Sequence, residues 1–338
     1  MAVVALALLL AAAGALWFVR AQWDRPLQKE PAPRAVEIPP GSSLRRISLL
    51  LAREGVIARP FLFRLLTRVE GQDRVLKAGE YELGPHLSPR QVLRKLARGE
   101  VIQHPVTIPE GSSLFEVARL VEGRHLLPPG RLLPLAMDPA VAKSLGVEAS
   151  SLEGYLFPET YFFPKGMSAR KVLRTMVEAT RKVLTPEIRR RAEALGLGVH
   201  GALTLASIIE KETDLAEERP LVSAVFHNRL QRGMPLQGDP TVIYALKLAG
   251  RYRGKLGRGE LAFDSPYNTY RHKGLPPGPI ANSGLDSLRA ALYPAPVPYL
   301  YFVAKEGGGH HFSRTIEEHR RAIARERRRA SRTRERGG

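Results

Sequence analysis

Residues 2–19, AVVALALLLAAAGALWFV, are eighteen consecutive apolar or small residues without a charge. In a helix rising 1.5 Å per residue this run extends about 27 Å, close to the hydrocarbon thickness of a bilayer. Trp17, Trp23, Arg20 and Arg25 flank its far end in the manner of an interfacial belt. The pattern predicts a single-pass anchor over residues 1–20. A cleaved signal peptide is the competing reading, because AAAGA offers small residues for processing. No basic residue precedes the run and two follow it, so charge alone would leave the rest of the chain in the cytoplasm. Over residues 21–35 the hydrophobic period is lost. DRPLQKEPAPRA, within that stretch, is proline-rich and charged and predicts a linker.

An internal echo follows. VEIPPGSSLRRI begins at Val36 and VTIPEGSSLFEV at Val106, each reading as a short strand, a Pro-Gly turn, a capping Ser and an amphipathic helix. With the strand and capped helix of VLKAGEYELGPHLSPRQVLRKLARGE between them, residues 36–105 predict a small α+β subdomain. Its G-S-S-L opening resembles LysM-type glycan-binding modules. Residues 106–320 predict a larger domain of mixed α/β character. Within it, 128–147 reads as Leu/Pro-rich and irregular, and LEGYLFPETYFFP (152–164) gathers five aromatics around Glu153 and Glu159. That segment is either a hydrophobic turn against the core or a groove wall that stacks sugar faces. Helices are predicted near 168–195, 201–213, 218–232 and 284–293, and a strand at YLYFVA.

Composition changes the picture in two places. The chain carries 52 basic and 33 acidic residues, a net +19 that favours an anionic partner: nucleic acid, anionic lipid or an acidic polymer. Nine arginines between Arg320 and Arg336 contribute heavily, and their low apolar content predicts a basic, frayed or disordered helical tail over 321–338. There is no cysteine, which excludes disulfides and thiol catalysis.

The candidate chemistry centres on LASIIEKET (205–213). On a helical wheel Leu203, Leu205, Ala206, Ile208 and Ile209 form one broad apolar arc, with Ser207 and Lys211 on the opposite, wet side. Glu210 falls at the edge of the arc and Glu212 nearer its middle, so the two do not face each other as a proton-sharing dyad. Desolvation of either would raise its pKa and suit it to general-acid work on a glycosidic bond. Each could equally be a helix glutamate paired with Lys211, Arg219 or Arg229. Gln237 and Asp239 lie in a turn before a helix, where Asp239 is either a site residue or a turn former. Tyr267 and Asn268 lie in a loop and offer a phenol and an amide to sugar hydroxyls and N-acetyl groups. KGLPPGPIANSG is too rich in Pro and Gly for regular structure, and is either a groove floor or a stiff connection. His310, His311 and His319 lack any H-E-x-x-H or nearby carboxylate ligand pattern, so no metal is expected. G-x-S-x-G, Walker and Rossmann fingerprints are absent from the sequence, and no cofactor is expected.

Read together, LEGYLFPETY, LASIIEKET, VFHNRLQRGMPLQGDPTVIYAL, YNTYRHKGLPPGPIANSGLDSLRAAL and YLYFVAKEGGGHHF with the following His319 resemble the membrane-anchored endolytic murein transglycosylases of bacteria, the YceG-like or MltG-type proteins. The resemblance implies an N-terminal anchor, a LysM-like subdomain and a catalytic domain outside the cytoplasmic membrane. It implies that Glu210, the first glutamate of IIEKET, is the catalytic acid, and that Glu212 is a supporting or structural carboxylate. Substrate-positioning roles for Gln237, Asp239, Tyr267 and Asn268 follow, with Glu153 and Glu159 as outside candidates. The implied substrate is peptidoglycan glycan strands, with the membrane and the peptidoglycan synthesis machinery as further partners and no nucleic acid. A hydrolase in which Asp239 or Glu159 activates water, and a non-catalytic wall-binding scaffold, are the alternatives. Family members carry basic residues ahead of the membrane segment, and this chain has none.

Overall fold

The structure, a computed structural model, describes residues 2–28, 32–257 and 259–336. It is α+β in class and divides into two compact units, Met1–Pro105 with Phe162–Met167, and Val106–Tyr161 with Ser168–Gly338.

The first unit opens with α1 (Ala2–Asp24), a helix long and apolar enough to cross a membrane. It runs on past residue 20, through the start of the stretch whose composition predicts a linker. The cause is Trp23, which packs into the unit instead of standing free beyond the apolar run. Its side chain is 5 % exposed in the unit's core, and its indole N–H donates to the Leu62 carbonyl at 3.2 Å. The remaining elements are β1 (Arg34–Ile38), α2 (Leu44–Arg53), α3 (Pro60–Val69), β2 (Gly79–Leu83), α4 (Pro89–Arg98) and β3 (Gln103–Thr107). β1 and β2 pair antiparallel with Val36 opposite Tyr81, and their inward faces meet Leu51, Phe63, Leu66, Val92 and Leu96 from the three helices. Ser43 caps α2 and Ser88 closes a capping box with Gln91 on α4.

The second unit contains α5 (Leu114–Glu122), α6 (Leu132–Ala136), α7 (Pro139–Ser144), the first residues of β4 (Thr160–Pro164), which from Phe162 on belongs to the first unit, α8 (Ala169–Val183), α9 (Pro186–Ala194), α10 (Gly198–Glu212), α11 (Arg219–Gln231), α12 (Asp239–Leu248), α13 (Leu285–Leu292), β5 (Tyr301–Ala304), β6 (His310–Ser313) and α14 (Ile316–Arg336). The predicted irregular stretch 128–147 holds two short helices, and the helix predicted over 168–195 breaks where Thr185 caps a new one at Pro186. α10 is the central element, packed by α9, α11, α12 and α13. From Ala202 to Glu210 every residue is buried, so the wet side assigned to Ser207 does not exist. A helix without a wet face is a core helix, and here the loop 273–284 covers the side the wheel left open. Ser207 Oγ donates to Thr204 O at 2.7 Å and accepts from the Ile280 N–H at 3.0 Å. Where composition predicts a frayed or disordered helical tail, α14 continues to Arg336. Ala322 and Glu326 anchor it, with Glu326 accepting from the Glu306 N–H and lying 3.0 Å from His311 Nε2.

Candidate active site

The last turn of α10 sends its two glutamates to different neighbours. Glu210 is 8 % exposed; its Oε2 accepts the Gly284 N–H at 3.0 Å and its Oε1 lies 3.6 Å from the Arg219 guanidinium. Gly284 is the N-cap of α13, so the carboxyl also meets the positive end of that helix. Arg219 opens α11, and a second guanidinium nitrogen lies 3.9 Å from the Asp286 carboxylate.

Glu110 completes this cluster. Its carboxyl lies so close to Gly284 that a Cβ there would have to displace it. Burial raises the Glu110 pKa and the Glu210 charge pushes the same way; Arg219 opposes them and Asp286 adds a smaller push upward. Glu110 sits in the turn of the second echo, at the position held by Pro40 in the first. That single departure within an otherwise repeated turn is the signal that sequence reasoning passed over. Arg219 entered that reading only as a possible partner, and Asp286 not at all.

Two backbone devices hold the cluster. The turn 109–113 is tied to the 273–284 loop by the Gly111 N–H donating to Asn282 O at 2.8 Å and the Asn282 N–H donating to Ser112 O at 2.9 Å. Lys211 Nζ reaches Gly111 O at 3.2 Å. The loop itself straps α10: His200 Nε2 lies 2.9 Å from Pro277 O, Ile280 meets Ser207, and Gly284 meets Glu210. Contacts at 200, 207 and 210 keep to one face of the helix, and the strap therefore delivers the Gly284 amide to Glu210 in fixed register.

Glu212 belongs to a second group. Its carboxyl packs on Gly238, and burial, with Asp239 adding to it and Arg229 opposing, lifts its pKa to about 8. Asp239 is exposed and accepts the Tyr270 hydroxyl at 2.5 Å. Gln237, also exposed, holds φ at +55° and accepts from Arg229 at 3.3 Å. Arg229 itself is buried, donating to Leu300 O at 2.7 Å and Leu236 O at 2.8 Å beneath the Tyr301 ring.

The other sequence candidates fall elsewhere. Glu153 is 1 % exposed and accepts the Leu114 N–H at the start of α5, with Asn282 Nδ2 at 3.3 Å. Burial lifts its pKa to about 8 against the Leu114 and Tyr244 hydrogen bonds. Tyr267 packs its ring 5.0 Å from Tyr244, beside this carboxyl. Asn268 has no exposed surface: its amide donates to Leu261 O and Phe263 O and accepts from the Tyr270 N–H. Glu159 is exposed, and its carbonyl receives the Ile108 N–H.

The Glu210 cluster presents a buried carboxyl fixed by one amide, a guanidinium 3.6 Å from it, and two further carboxyls close by. Such a group can give up a proton and take one back without moving, the requirement of general acid–base catalysis.

The chain as a whole is similar to known proteins. The family model described as the YceG-like family matches residues 36–325. The endolytic murein transglycosylase of Bacillus subtilis (strain 168) is 33 % identical over 303 residues, covering 85 % of this chain and 83 % of that protein. The endolytic murein transglycosylase of Streptococcus pneumoniae D39 is 32 % identical over 86 % of this chain, and the match spans only 57 % of that longer protein. A crystal structure of a YceG-like protein from Listeria monocytogenes is 38 % identical and superposes with a TM-score of 0.58, covering 86 % of this chain and 99 % of the other. The extent of the family match and the level of identity place the chain in the YceG-like family.

Proposed function

We propose that this protein is an endolytic murein transglycosylase in which Glu210 is the single acid and base. The observation that carries the assignment is the buried Glu210 carboxyl, fixed by the Gly284 amide and facing Arg219. Protonated Glu210 donates to the glycosidic oxygen between N-acetylmuramic acid and N-acetylglucosamine, and the bond from C1 to that oxygen breaks. The C6 hydroxyl of the muramoyl unit then attacks C1 and its proton passes to the Glu210 carboxylate. The products are a 1,6-anhydro-muramoyl end and a free N-acetylglucosamine 4-hydroxyl, with Glu210 protonated again. Because the nucleophile belongs to the substrate, no second carboxylate is needed to activate water, unlike the paired carboxylates of ordinary glycosidases. Arg219 stabilises the transient Glu210 carboxylate. Glu110 and Asp286 set two further carboxyls around it, and burial together with the Glu210 charge raises the Glu110 pKa.

Asp239 and Gln237, both exposed beside Glu212, are assigned to glycan contact, and Tyr267 to the wall they adjoin. Asn268 shapes its loop from inside and Glu153 braces α5 and the 273–284 loop; Glu159 is left as a peripheral contact. The first unit, with helices between two antiparallel strands, is read as a LysM-like glycan-binding module. α1 is read as a single-pass anchor holding residues 36–320 on the extracytoplasmic face, where nascent strands and the machinery that synthesises them are found.

The test incubates the full chain, wild type and Glu210→Gln, with uncrosslinked glycan strands and resolves the products by mass spectrometry. Internal fragments with 1,6-anhydro ends from the wild type alone are the expected result. Ordinary reducing ends would move the chemistry to water attack, and cleavage retained by the variant would move it to another carboxylate.

A further inference from the structure

The apolar run of α1 ends at Val19, and Val19 is already packed against the core of the first unit. One turn later Trp23 is buried in that core. Beyond it Asp24 accepts from Arg90 at 2.7 Å, with the Arg90 guanidinium 5.9 Å over the Trp23 ring. α1 is unbroken throughout. The helix therefore enters the unit with no spacer: if Val19 marks the edge of the hydrocarbon, the parts of the unit around Val19 and Trp23 stand at headgroup depth.

What stands there is the start of α3. Leu62, whose carbonyl holds the Trp23 indole, is preceded by Phe61, which is 65 % exposed. Phe61 is exposed beside the half-buried Leu62 and the buried Phe63, an arrangement ordinary at a membrane interface. The Arg64 guanidinium lies 6.0 Å over the Phe61 ring. Leu44, Arg45, Phe61, Arg64, Leu65 and Arg68 line one groove between α2 and α3, three cations and three apolar side chains with no acidic residue. Arg25 and Arg59 line the adjoining hollow beside Trp23. Apolar groups ringed by arginines complement the acidic headgroups and glycerol layer of a bilayer.

We propose that this α2–α3 face is a membrane-surface contact: Phe61 inserts at the headgroup boundary while Arg59, Arg64 and Arg68 engage acidic phospholipid headgroups, laying the first unit on the bilayer. The proposal rests on the reading of α1 as a membrane-crossing helix. It makes the first unit a platform fixed at the membrane surface.

The chain has no cysteine, so single labels can be placed cleanly. Leu9→Cys and Phe61→Cys are each spin-labelled in the full chain in lipid nanodiscs, zwitterionic or containing acidic phospholipid, and accessibility to oxygen and to a water-soluble nickel chelate is compared. Both positions are exposed, so the fold should not depend on them; circular dichroism checks this. The expected result is a Leu9 label at hydrocarbon depth and a Phe61 label at interfacial depth, deeper in acidic lipid. Arg59→Gln with Arg64→Gln should remove that lipid dependence. A Leu9 label in hydrocarbon with an aqueous Phe61 label in both lipids overturns the contact and leaves the anchor standing. An aqueous Leu9 label removes the anchor and the contact with it. A Phe61 label protected only on adding glycan strands assigns the face to glycan, and equal depth in both lipids eliminates the headgroup role of the arginines.

Discussion

Glu210 and Glu212 are two residues apart on one helix and meet different surroundings, and the separation was legible in the sequence because 100° per residue sets them on different faces. The wheel gave directions but not neighbours. Glu110, a hundred positions away in the chain, reaches Glu210 only because Asn282 stitches the turn 109–113 to the strap loop, and no local periodicity carries that contact. Its role sets a sharp expectation. Burial and the Glu210 charge raise the Glu110 pKa, so Glu110→Gln removes a carboxyl that titrates above its ordinary value. The kcat/KM profile should change shape on the side where Glu110 titrates. A profile measured on glycan strands that is superimposable on wild type would strike Glu110 from the mechanism. Arg219→Met should lower kcat by on the order of 100-fold, through loss of carboxylate stabilisation, with KM nearly unchanged. A change confined to KM would make Arg219 a substrate clamp instead.

At the scale of elements, legibility followed range. The echo at Val36 and Val106 predicted two strand–turn–helix units, and both formed with Ser43 and Ser113 capping their helices, because turn glycine and N-cap serine act within a few residues. The end of α1, the burial of Ser207 and the anchoring of the tail at Glu326 were not legible, since each depends on a remote partner: the α3–α4 face for Trp23, the strap for Ser207, and Glu306 and His311 for Glu326. The strap's own rigidity is testable at Asn282. Its Oδ1 accepts the Leu156 N–H at 2.9 Å while Nδ2 donates to Ser112 O at 2.8 Å and to Glu153. Asn282→Ala strands these buried groups, each costing about 1–3 kcal/mol. Urea unfolding should show a loss of roughly 3 kcal/mol or more. Activity at a denaturant-free temperature where the variant remains folded should fall as well, because Gly284 lies two residues on. Loss of stability with unaltered kcat would show that the strap supports the fold without positioning Glu210.

For the whole molecule, the carboxyls divide into two sets that pull stability in opposite directions with pH. Burial works against ionisation of Glu116, yet hydrogen bonds from Ser113 and Lys247 bring its pKa down from 4.5 to about 2. His310 likewise lowers Glu218 against the effect of its burial. Such depressed groups contribute stability above the unfolded value near 4.5 and lose it as pH falls through their folded values. Glu212, lifted by burial and Asp239 to about 8, and Glu153, lifted by burial to about 8, act in the reverse sense. Between pH 4.5 and 8 the unfolded chain has already released these protons while the folded chain keeps them, so each rise in pH favours unfolding across that window. Stability should therefore peak near pH 5, falling steeply on the acid side and steadily toward pH 8. Glu212→Gln keeps the neutral shape without the titration, and its carboxyl packs on Gly238 rather than within the Glu210 cluster. The variant should match wild type in Tm near pH 5 and exceed it by several degrees at pH 8.5. Parallel Tm curves for the two proteins from pH 5 to 8.5 would mean that Glu212 is ionised in the folded state throughout, with Arg229 outweighing both burial and Asp239.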